Sequence, residues 1–168
     1  MSLIDDLRAV DPARTFIGVD APGQFDGMID AWVARGFTVR VVRGHKMRTL
    51  SSVFDEFAAA LQFPLYFGQN KDAFDECIRD LPRLPVSAGI VVVVVSPDET
   101  LADAPPRELE WLVDSLSAAA AEWATPIDLG EWWDRAAVPF HVVLDLGATT
   151  ATSDVTRWIA AGARLDTA

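Results

Sequence analysis

Apolar positions follow helical spacing in six stretches of the chain and form short continuous runs in four others. Spacing of three to four residues predicts amphipathic helices, whereas runs rich in Val, Ile and Phe predict buried strands. The predicted helices cover residues 3–10, 24–34, 51–61, 70–81, 152–161 and a stretch that begins at residue 106, and the predicted strands cover residues 15–19, 37–43, 90–95 and 140–144. Because strands and helices alternate, the pattern predicts an α/β fold with a small, mostly parallel sheet packed with helices.

Residues 63–81 combine an aromatic loop with an acidic helix. Pro64 ends the preceding helix, Gly68 is predicted to hold a tight backbone position, and Asn70 is predicted to be the N-cap. The apolar side chains of this helix share one face: Ala73, Phe74, Cys77, Ile78 and Leu81. The opposite face carries Asp72, Asp75, Glu76 and Arg79, so the sequence predicts three carboxylates clustered on the outer surface.

Two interpretations of this carboxylate cluster are open. In the first, acids near a helix N-terminus complement the helix dipole and face solvent, with no partner. In the second, the carboxylates imitate phosphates and enter a cationic active site. Spacing alone favours the first interpretation.

The same stretch resembles the barstar family, the intracellular protein inhibitors of barnase-type microbial ribonucleases. The positions that carry the resemblance are Pro64, Tyr66, Phe67, Gly68, Asn70, Asp72, Ala73, Phe74, Glu76 and Cys77. It extends more weakly over residues 37–146 and implies a barstar-like domain there. Residues 1–36 then form an N-terminal extension packed on the core, and residues 147–168 form a C-terminal helical segment, giving one structural domain in all. The extension is either an added strand–helix unit or a separate docking piece, and its apolar helix face favours the former.

The resemblance also implies a function: non-covalent inhibition of a basic microbial ribonuclease, without a cofactor, by an acidic helix and the loop before it. The implied partner-binding residues are Tyr66, Gly68, Asn70, Lys71, Asp72, Asp75 and Glu76. Asp72 and Glu76 are expected to pair with nuclease arginines and lysines, with Tyr66 stacking at the rim. The resemblance thus favours the second interpretation of the cluster. The alternative is a binding module of the same fold whose partner is not a nuclease.

Three positions depart from the family pattern. Asp75 stands where an aromatic residue is usual, Glu76 replaces the usual Asp with a side chain one methylene longer, and Lys71 replaces a neutral residue. Buried charge pairs tolerate little displacement, because an unpaired desolvated charge is costly. These departures predict a cognate nuclease other than barnase itself.

Charge and composition favour a basic protein partner. The chain has 168 residues, of which 51% are hydrophobic, and a net charge of −11. This charge argues against direct binding of nucleic acid or anionic membrane, although acidity that merely maintains solubility is the simpler alternative. The charge is uneven: residues 37–50 carry +4, residues 51–82 carry −4 and residues 106–136 carry −5.

The remaining sequence features argue against other classes of function. A single cysteine, no visible signal peptide and no long apolar run predict a cytoplasmic protein. There is no Cys/His zinc pattern and no Gly-rich nucleotide loop, so neither a metal nor a cofactor is expected. His45, His141 and Cys77 have no recognisable catalytic context, and the sequence predicts a protein that is not an enzyme.

Outside residues 63–81, Asp145 and the Trp132–Trp133 pair can each be interpreted in two ways. Asp145, at the end of a predicted strand, could bind a ligand or cap the next turn. Trp132 and Trp133, in a predicted loop over residues 125–137, could anchor a second interface, but packing in the core or within the loop is the favoured interpretation.

Overall fold

A parallel β-sheet forms the centre of the protein. The structure is a computed structural model that describes residues 2–147 and 153–168, and this part of the chain contains five strands. They are β1 (Phe16–Val19), β2 (Phe37–Arg43), β3 (Gly89–Val95), β4 (Phe140–Asp145) and β5 (Leu165–Thr167). Their order is β2-β3-β4-β1-β5, and every neighbouring pair is parallel. The predicted α/β fold with a mostly parallel sheet is confirmed.

Helices connect the strands, close to where the apolar spacing predicts them. They are α1 (Leu3–Arg8), α2 (Phe25–Ala34), α3 (Leu50–Ala60), α4 (Lys71–Asp80), α5 (Pro106–Ala124) and α6 (Ser153–Ala160). The helical pattern that starts at residue 51 predicts Ser51 or Ser52 as the cap of α3. This prediction is wrong, because the N-cap is Thr49. The Thr49 hydroxyl accepts from the Ser52 amide, and the Ser52 hydroxyl accepts from the Thr49 amide at 3.0 Å. This reciprocal capping box fixes the start of α3.

Side chains of the sheet alternate between two buried layers. Ile90, Val92 and Val94 of β3 pack with α3, α4 and α5, together with Trp158 of α6. Val91 and Val93 instead pack against Leu7 of α1 and against Phe25 and Trp32 of α2. Burial on both faces explains the continuous Val run of β3. The helices of residues 1–36 therefore cover the face of the sheet opposite α4.

The N-terminal strand is part of the sheet. β1 pairs with β4 on one side, Phe16 opposite Val142, and with β5 on the other, Phe16 opposite Leu165. Gly36, at φ +90°, ends the α2 turn and leads directly into β2. The predicted strand–helix unit is thus present and packed on the core. The division of the chain at residues 36 and 146 stays a prediction.

The C-terminal segment contains a strand that the sequence analysis does not anticipate. After α6, the three residues of β5 pair with β1 at the sheet edge. Trp158 of α6 is fully buried against Phe16, with ring centroids 6.2 Å apart, whereas Ile159 is exposed. Helical spacing predicts that Trp158 and Ile159 both pack inward. This is confirmed for Trp158 and wrong for Ile159, because adjacent helical residues point about 100° apart. Residue 152, the predicted helix start, lies outside the described residues.

Candidate functional site

An aromatic cluster fixes the loop of residues 64–69 and the start of α4. The Phe74 ring lies 5.2 Å from Phe57, 5.7 Å from Phe63 and 5.1 Å from Trp111 between ring centroids. Phe67 packs edge-on against Phe63 at 5.1 Å, which anchors the loop itself. Such edge-to-face contacts add to the stability that area burial provides.

Leu65 and Tyr66 point away from this cluster into solvent. Leu65 is 93% exposed and Tyr66 is 84% exposed. Exposed large apolar side chains on a fixed loop are typical of a binding surface. Tyr66 is among the residues predicted to bind a partner, whereas Leu65 is not, because only the neighbouring Pro64 and Tyr66 give a signal for it.

The turn into α4 is held by polar side chains. Asn70 is the N-cap as predicted: its Oδ1 accepts from the Ala73 amide at 2.9 Å, and its Nδ2 donates to the Gly68 carbonyl at 3.3 Å. The left-handed residue of the turn is Gln69, at φ +50°, rather than Gly68. A Cβ on Gly68 would lie only 3.1 Å from Asn70 Nδ2, so the Asn70 side chain would have to shift by a few tenths of an ångström to accommodate a larger residue. Gln69 Nε2 donates to Asp55 Oδ1 at 3.1 Å, which ties the turn to α3.

Two of the three predicted carboxylates form the outer face of α4. Asp72 and Glu76 are exposed, and neither makes a hydrogen bond or ion pair with any residue in the described part of the chain. At positions i and i+4 their side chains lie on the same face, roughly 6 Å apart at Cβ. Asp72, in the first turn, is also favoured by the helix dipole.

Asp75 does not belong to this outer face. It is half-buried, and its Oδ1 accepts a hydrogen bond from the Ser115 hydroxyl of α5. The prediction that three carboxylates cluster on the outer surface is therefore wrong for Asp75. The reason is that α5 packs beside α4 and covers the side from which Asp75 projects.

Lys71 is likewise directed toward α5. Its Nζ lies 2.7 Å from Glu108 Oε2 and 5.4 Å from the centroid of the Trp111 ring. Helical spacing predicts that Glu108 is exposed, but it is buried in the first turn of α5, where Lys71 lies against its carboxylate. The positive charge that departs from the family pattern is thus neutralised within the chain. The outer face of α4 keeps a net negative charge, because the exposed Asp72 and Glu76 outnumber Arg79.

Comparison with known protein families agrees with this geometry. A family model described as Barstar (barnase inhibitor) matches residues 37–145. The chain belongs to the barstar family. The match starts at β2 and ends at β4, so it includes the loop of residues 64–69 and the whole of α4. Membership in this inhibitor family indicates a protein-binding role similar to that of a barnase inhibitor.

Other comparisons add little to the family assignment. No curated protein sequence matches this barstar-family chain significantly. Among solved structures, it is similar to Cdc6p from Pyrobaculum aerophilum, at 13% identity, 97% coverage of this chain, 41% of that chain and a TM-score of 0.49. It is also similar to Drosophila ORC bound to AT-rich DNA and Cdc6, at 12% identity, 98% coverage of this chain, 54% of that chain and a TM-score of 0.47. The chain thus spans about half or less of these proteins, and at such TM-scores the likeness says nothing about function.

Two residues that could take part in catalysis, His141 and Cys77, are both buried. His141 is buried in β4, and its ring nitrogens lie 2.9 Å from the Arg14 carbonyl and 3.1 Å from the Ala9 carbonyl. Burial lowers the pKa of this imidazole, although the two carbonyls oppose the shift. Cys77 is buried on the inner face of α4, where desolvation raises the pKa of its thiol. A thiol held in the protonated form is a poor nucleophile.

Asp145 caps the turn after β4, the second of its two interpretations. Its Oδ1 accepts from the Gly147 amide at 3.0 Å, and burial, followed by the nearby Asp20, raises the pKa of the carboxyl. The described residues contain no group of His, Cys, Asp and Glu side chains arranged to hold a metal ion. Nor does any helix within them have the length and apolar content needed to cross a membrane.

The two adjacent tryptophans are exposed, contrary to the favoured interpretation. Trp132 is 90% exposed and Trp133 is 47% exposed, in the loop between α5 and β4. Their rings contact each other edge to face, with centroids 5.4 Å apart. Burial of both side chains is the simpler expectation, because Trp is usually well buried. They instead form a second exposed aromatic surface.

Proposed function

We propose that this protein binds and inhibits a basic ribonuclease by placing the outer face of α4 and the loop of residues 64–69 in the nuclease active site. One observation carries the proposal. Asp72 and Glu76 stand one turn apart on an exposed helix face without a partner among the described residues, and the preceding loop presents the exposed Tyr66. Membership in a family described as barnase inhibitors makes a ribonuclease the favoured partner.

The chemistry of the two carboxylates suits a phosphate-binding site. Each ionised carboxylate offers two oxygens that can accept paired hydrogen bonds from a guanidinium, as a phosphate does. Inside a closed interface such charge-assisted bonds are stronger than in water, because the surrounding dielectric is lower. Asp72 and Glu76 would therefore occupy positions that RNA phosphates take in the nuclease.

We propose fewer contact residues than the resemblance implies. Tyr66, Asp72 and Glu76 are available to a partner, and Gly68 and Asn70 shape the turn between them. Lys71 and Asp75 are engaged with α5 through Glu108 and Ser115. We therefore propose that these two residues support the position of α4 rather than contact the nuclease.

The surface is arranged before a partner arrives, which favours tight binding. The aromatic cluster under Phe67 and Phe74 holds the loop, and the Asn70 cap holds the start of α4. Because little ordering remains to be done on association, more of the contact free energy is available for affinity. The helices of residues 1–36 lie on the other side of the sheet and leave α4 uncovered.

The proposal is tested by titrating the protein into a basic ribonuclease encoded beside its gene, and into barnase as a second probe, while RNA cleavage is followed. We expect stoichiometric loss of cleavage with the cognate enzyme. Asp72→Ala and Glu76→Ala should each weaken the complex by about 2–5 kcal/mol, roughly 30-fold to several thousand-fold in Kd. The matched control is Asp114→Ala, which removes an exposed acid from α5 and should have little effect. Asp55 is less suitable as a control because it holds Gln69.

Two results would contradict the proposal at different levels. Similar small effects of Asp72→Ala, Glu76→Ala and Asp114→Ala on affinity would reject phosphate imitation by α4. Absence of inhibition with both enzymes would reject the ribonuclease as partner and would favour a binding module with a non-nuclease partner.

A further inference from the structure

The loop between α5 and β4 presents a second candidate binding surface. We infer that Trp132 and the acidic side chains beside it seat an arginine-bearing segment of a basic protein partner. This aromatic platform is defined by the exposed loop residues Leu129, Trp132 and Trp133, together with Asp128 and Glu131 of the same loop. It lies outside the loop of residues 64–69 and α4. It rests on the proposed function only in taking a basic protein as the partner.

The platform stands on a loop held by internal hydrogen bonds. The Asp134 carboxylate accepts from the Leu129 amide at 3.0 Å and from the Gly130 amide at 2.8 Å. Ile127 and Arg135 exchange backbone hydrogen bonds of 2.9 and 3.0 Å across the base of the loop. These contacts leave the loop few ways to fold its tryptophans inward. Its apolar side chains are therefore exposed in a fixed arrangement.

The ring geometry of the platform leaves an aromatic face open. Trp132 and Trp133 meet at an interplanar angle of 87°, so the edge of one ring abuts the face of the other. Trp132 nevertheless stays 90% exposed, and Leu129 beside it is 71% exposed. An open indole face attracts a guanidinium more strongly than the rings of Tyr or Phe do.

The charges around the platform select a cationic occupant. Asp128 and Glu131 are exposed within the same loop. Arg135, the cation of the loop, is engaged in contacts within the chain. Its guanidinium lies 4.5 Å from the centroid of the Trp123 ring. It also donates hydrogen bonds to four backbone carbonyls, those of Glu122, Trp123, Thr125 and Ala136. The open indole face thus belongs to a loop that carries two exposed carboxylates and no competing internal cation among its described residues. An anionic membrane surface is disfavoured by the same charges.

The platform is connected to the carboxyl-terminal end of α4. Trp123, beneath Arg135, donates its indole N–H to the Ile78 carbonyl at 3.0 Å. The loop of residues 64–69 precedes the other end of α4, and a helix of 10 residues is about 15 Å long. A standard interface of about 800 Å² per partner is broad enough to reach both surfaces. A single basic protein could therefore contact the acidic helix and the platform together.

The test titrates the full-length, ¹⁵N-labelled protein with a short uncharged-terminus peptide of alternating glycine and arginine, and follows the indole N–H resonances by NMR. We expect saturable shifts at the Trp132 and Trp133 indoles. Trp132→Ala should weaken binding by about 3- to 10-fold, and Trp132→Phe by less. Because Trp132 is exposed, its replacement should leave the amide resonances of the sheet unchanged. The matched peptide of glycine and glutamate should produce no shift.

The Asp72→Ala/Glu76→Ala variant separates this inference from the proposed function. It should lose inhibition of a ribonuclease but keep the arginine-dependent shifts at Trp132. Three results would overturn the inference: indole resonances that do not respond to the arginine peptide, an equal response to the glutamate peptide, or shifts that follow protein concentration alone. The last result would identify the platform as a contact between copies of this chain.

Discussion

Replacing Glu108 with Gln is expected to destabilise the packing of α4 on α5 and to expose an unpaired cation beside the acidic face. In the native protein Lys71 Nζ lies 2.7 Å from Glu108 Oε2. The Lys71 side chain is 39% exposed and that of Glu108 is 11% exposed. The pair is therefore half-buried and lies at the start of both helices.

The expected magnitude follows from this geometry. Two unit charges 2.7 Å apart attract by about 6 kcal/mol at an effective dielectric constant of about 20. Desolvation of Glu108 and ordering of the flexible Lys71 side chain offset most of that attraction. Exposed pairs contribute about 0.2–1 kcal/mol, whereas breaking a fully buried pair costs about 3–5 kcal/mol. Because solvent still screens Lys71, we expect a coupling free energy of about 1–2 kcal/mol.

A double-mutant cycle measures this coupling. The free energy of unfolding is obtained from urea denaturation of the native chain, Glu108→Gln, Lys71→Met and the double variant. Arg107 provides the internal control, because it contacts the other oxygen of the same carboxylate. Its Nε lies 3.5 Å from Glu108 Oε1, and its side chain is 74% exposed. Arg107→Met should therefore couple to Glu108→Gln by only a few tenths of a kcal/mol.

Two results would refute this reasoning. A Lys71–Glu108 coupling no larger than that of Arg107 would show that the pair does not hold α4 in place. In binding assays, Glu108→Gln should weaken the complex with a basic ribonuclease more than the double variant does, because only the single variant leaves an unpaired ammonium next to Asp72. Equal affinities would show that the charge of Lys71 does not reach the acidic face.

Three further predictions concern stability. Phe74→Ala should lower the free energy of unfolding by about 3–5 kcal/mol in urea denaturation, because the ring is fully buried among aromatic neighbours, and Phe74→Leu should cost less. Burial lowers the pKa of His141 below its ordinary 6.5, so the stabilising contribution of the neutral imidazole should be complete above pH 6.5 and lost as the pH falls through the lowered pKa. His141→Gln should flatten this pH dependence of the free energy of unfolding. The Arg43 guanidinium lowers the pKa of Glu56 from its ordinary 4.5, so its stabilising contribution should be lost on further acidification, and Glu56→Gln should remove that loss.

Much of the fold follows from local patterns in the sequence. The Val run of β3 predicts a strand buried on both faces, and the structure places it inside the sheet, between β2 and β4. The face of Phe74, Cys77 and Ile78 predicts α4, and Asn70 marks its start. These signals are reliable because they depend on helix and strand periodicity within a few neighbouring residues. β5 has only three residues and gives no such signal.

The orientation of charged side chains could not be predicted in the same way. Helical spacing places Asp75 beside Asp72 and Glu76, but the packing of α5 turns it toward Ser115. Glu108 has the spacing of an exposed residue and is buried because Lys71 lies opposite. Both outcomes depend on which helix lies next to α4, and one helix's periodicity does not contain that information.

The tryptophan loop shows the opposite limitation. A pair of large apolar residues predicts burial when composition alone is considered. Here the hydrogen bonds of Asp134 and the guanidinium of Arg135 fix the loop and keep Trp132 outside. Neither polar residue is recognisable in the sequence as an anchor, since both are ordinary loop residues until their backbone partners are known.

The distribution of charge pairs leads to a final prediction about binding kinetics. Two of the four cations of residues 37–50 are paired within the chain: Arg43 pairs with Glu56 at 2.7 Å, and Arg48 pairs with Asp103 at 2.9 Å. Asp72 and Glu76 have no such partners within the described residues, so their negative charges stay unpaired on α4. An unpaired acidic face attracts a basic protein over distances comparable with the Debye length, about 10 Å at 0.1 M salt.

The association rate with a basic ribonuclease should therefore fall at least tenfold, as an order-of-magnitude estimate, between low salt and about 0.5 M salt, while the dissociation rate changes little. Stopped-flow fluorescence measures both rates. The Asp72→Ala/Glu76→Ala variant should show a shallower salt dependence, and the charge-matched Glu110→Ala/Asp114→Ala variant of α5 should keep more of it. Identical slopes for the two variants would mean that steering arises from net charge alone. The position of the acids on α4 would then matter only after contact.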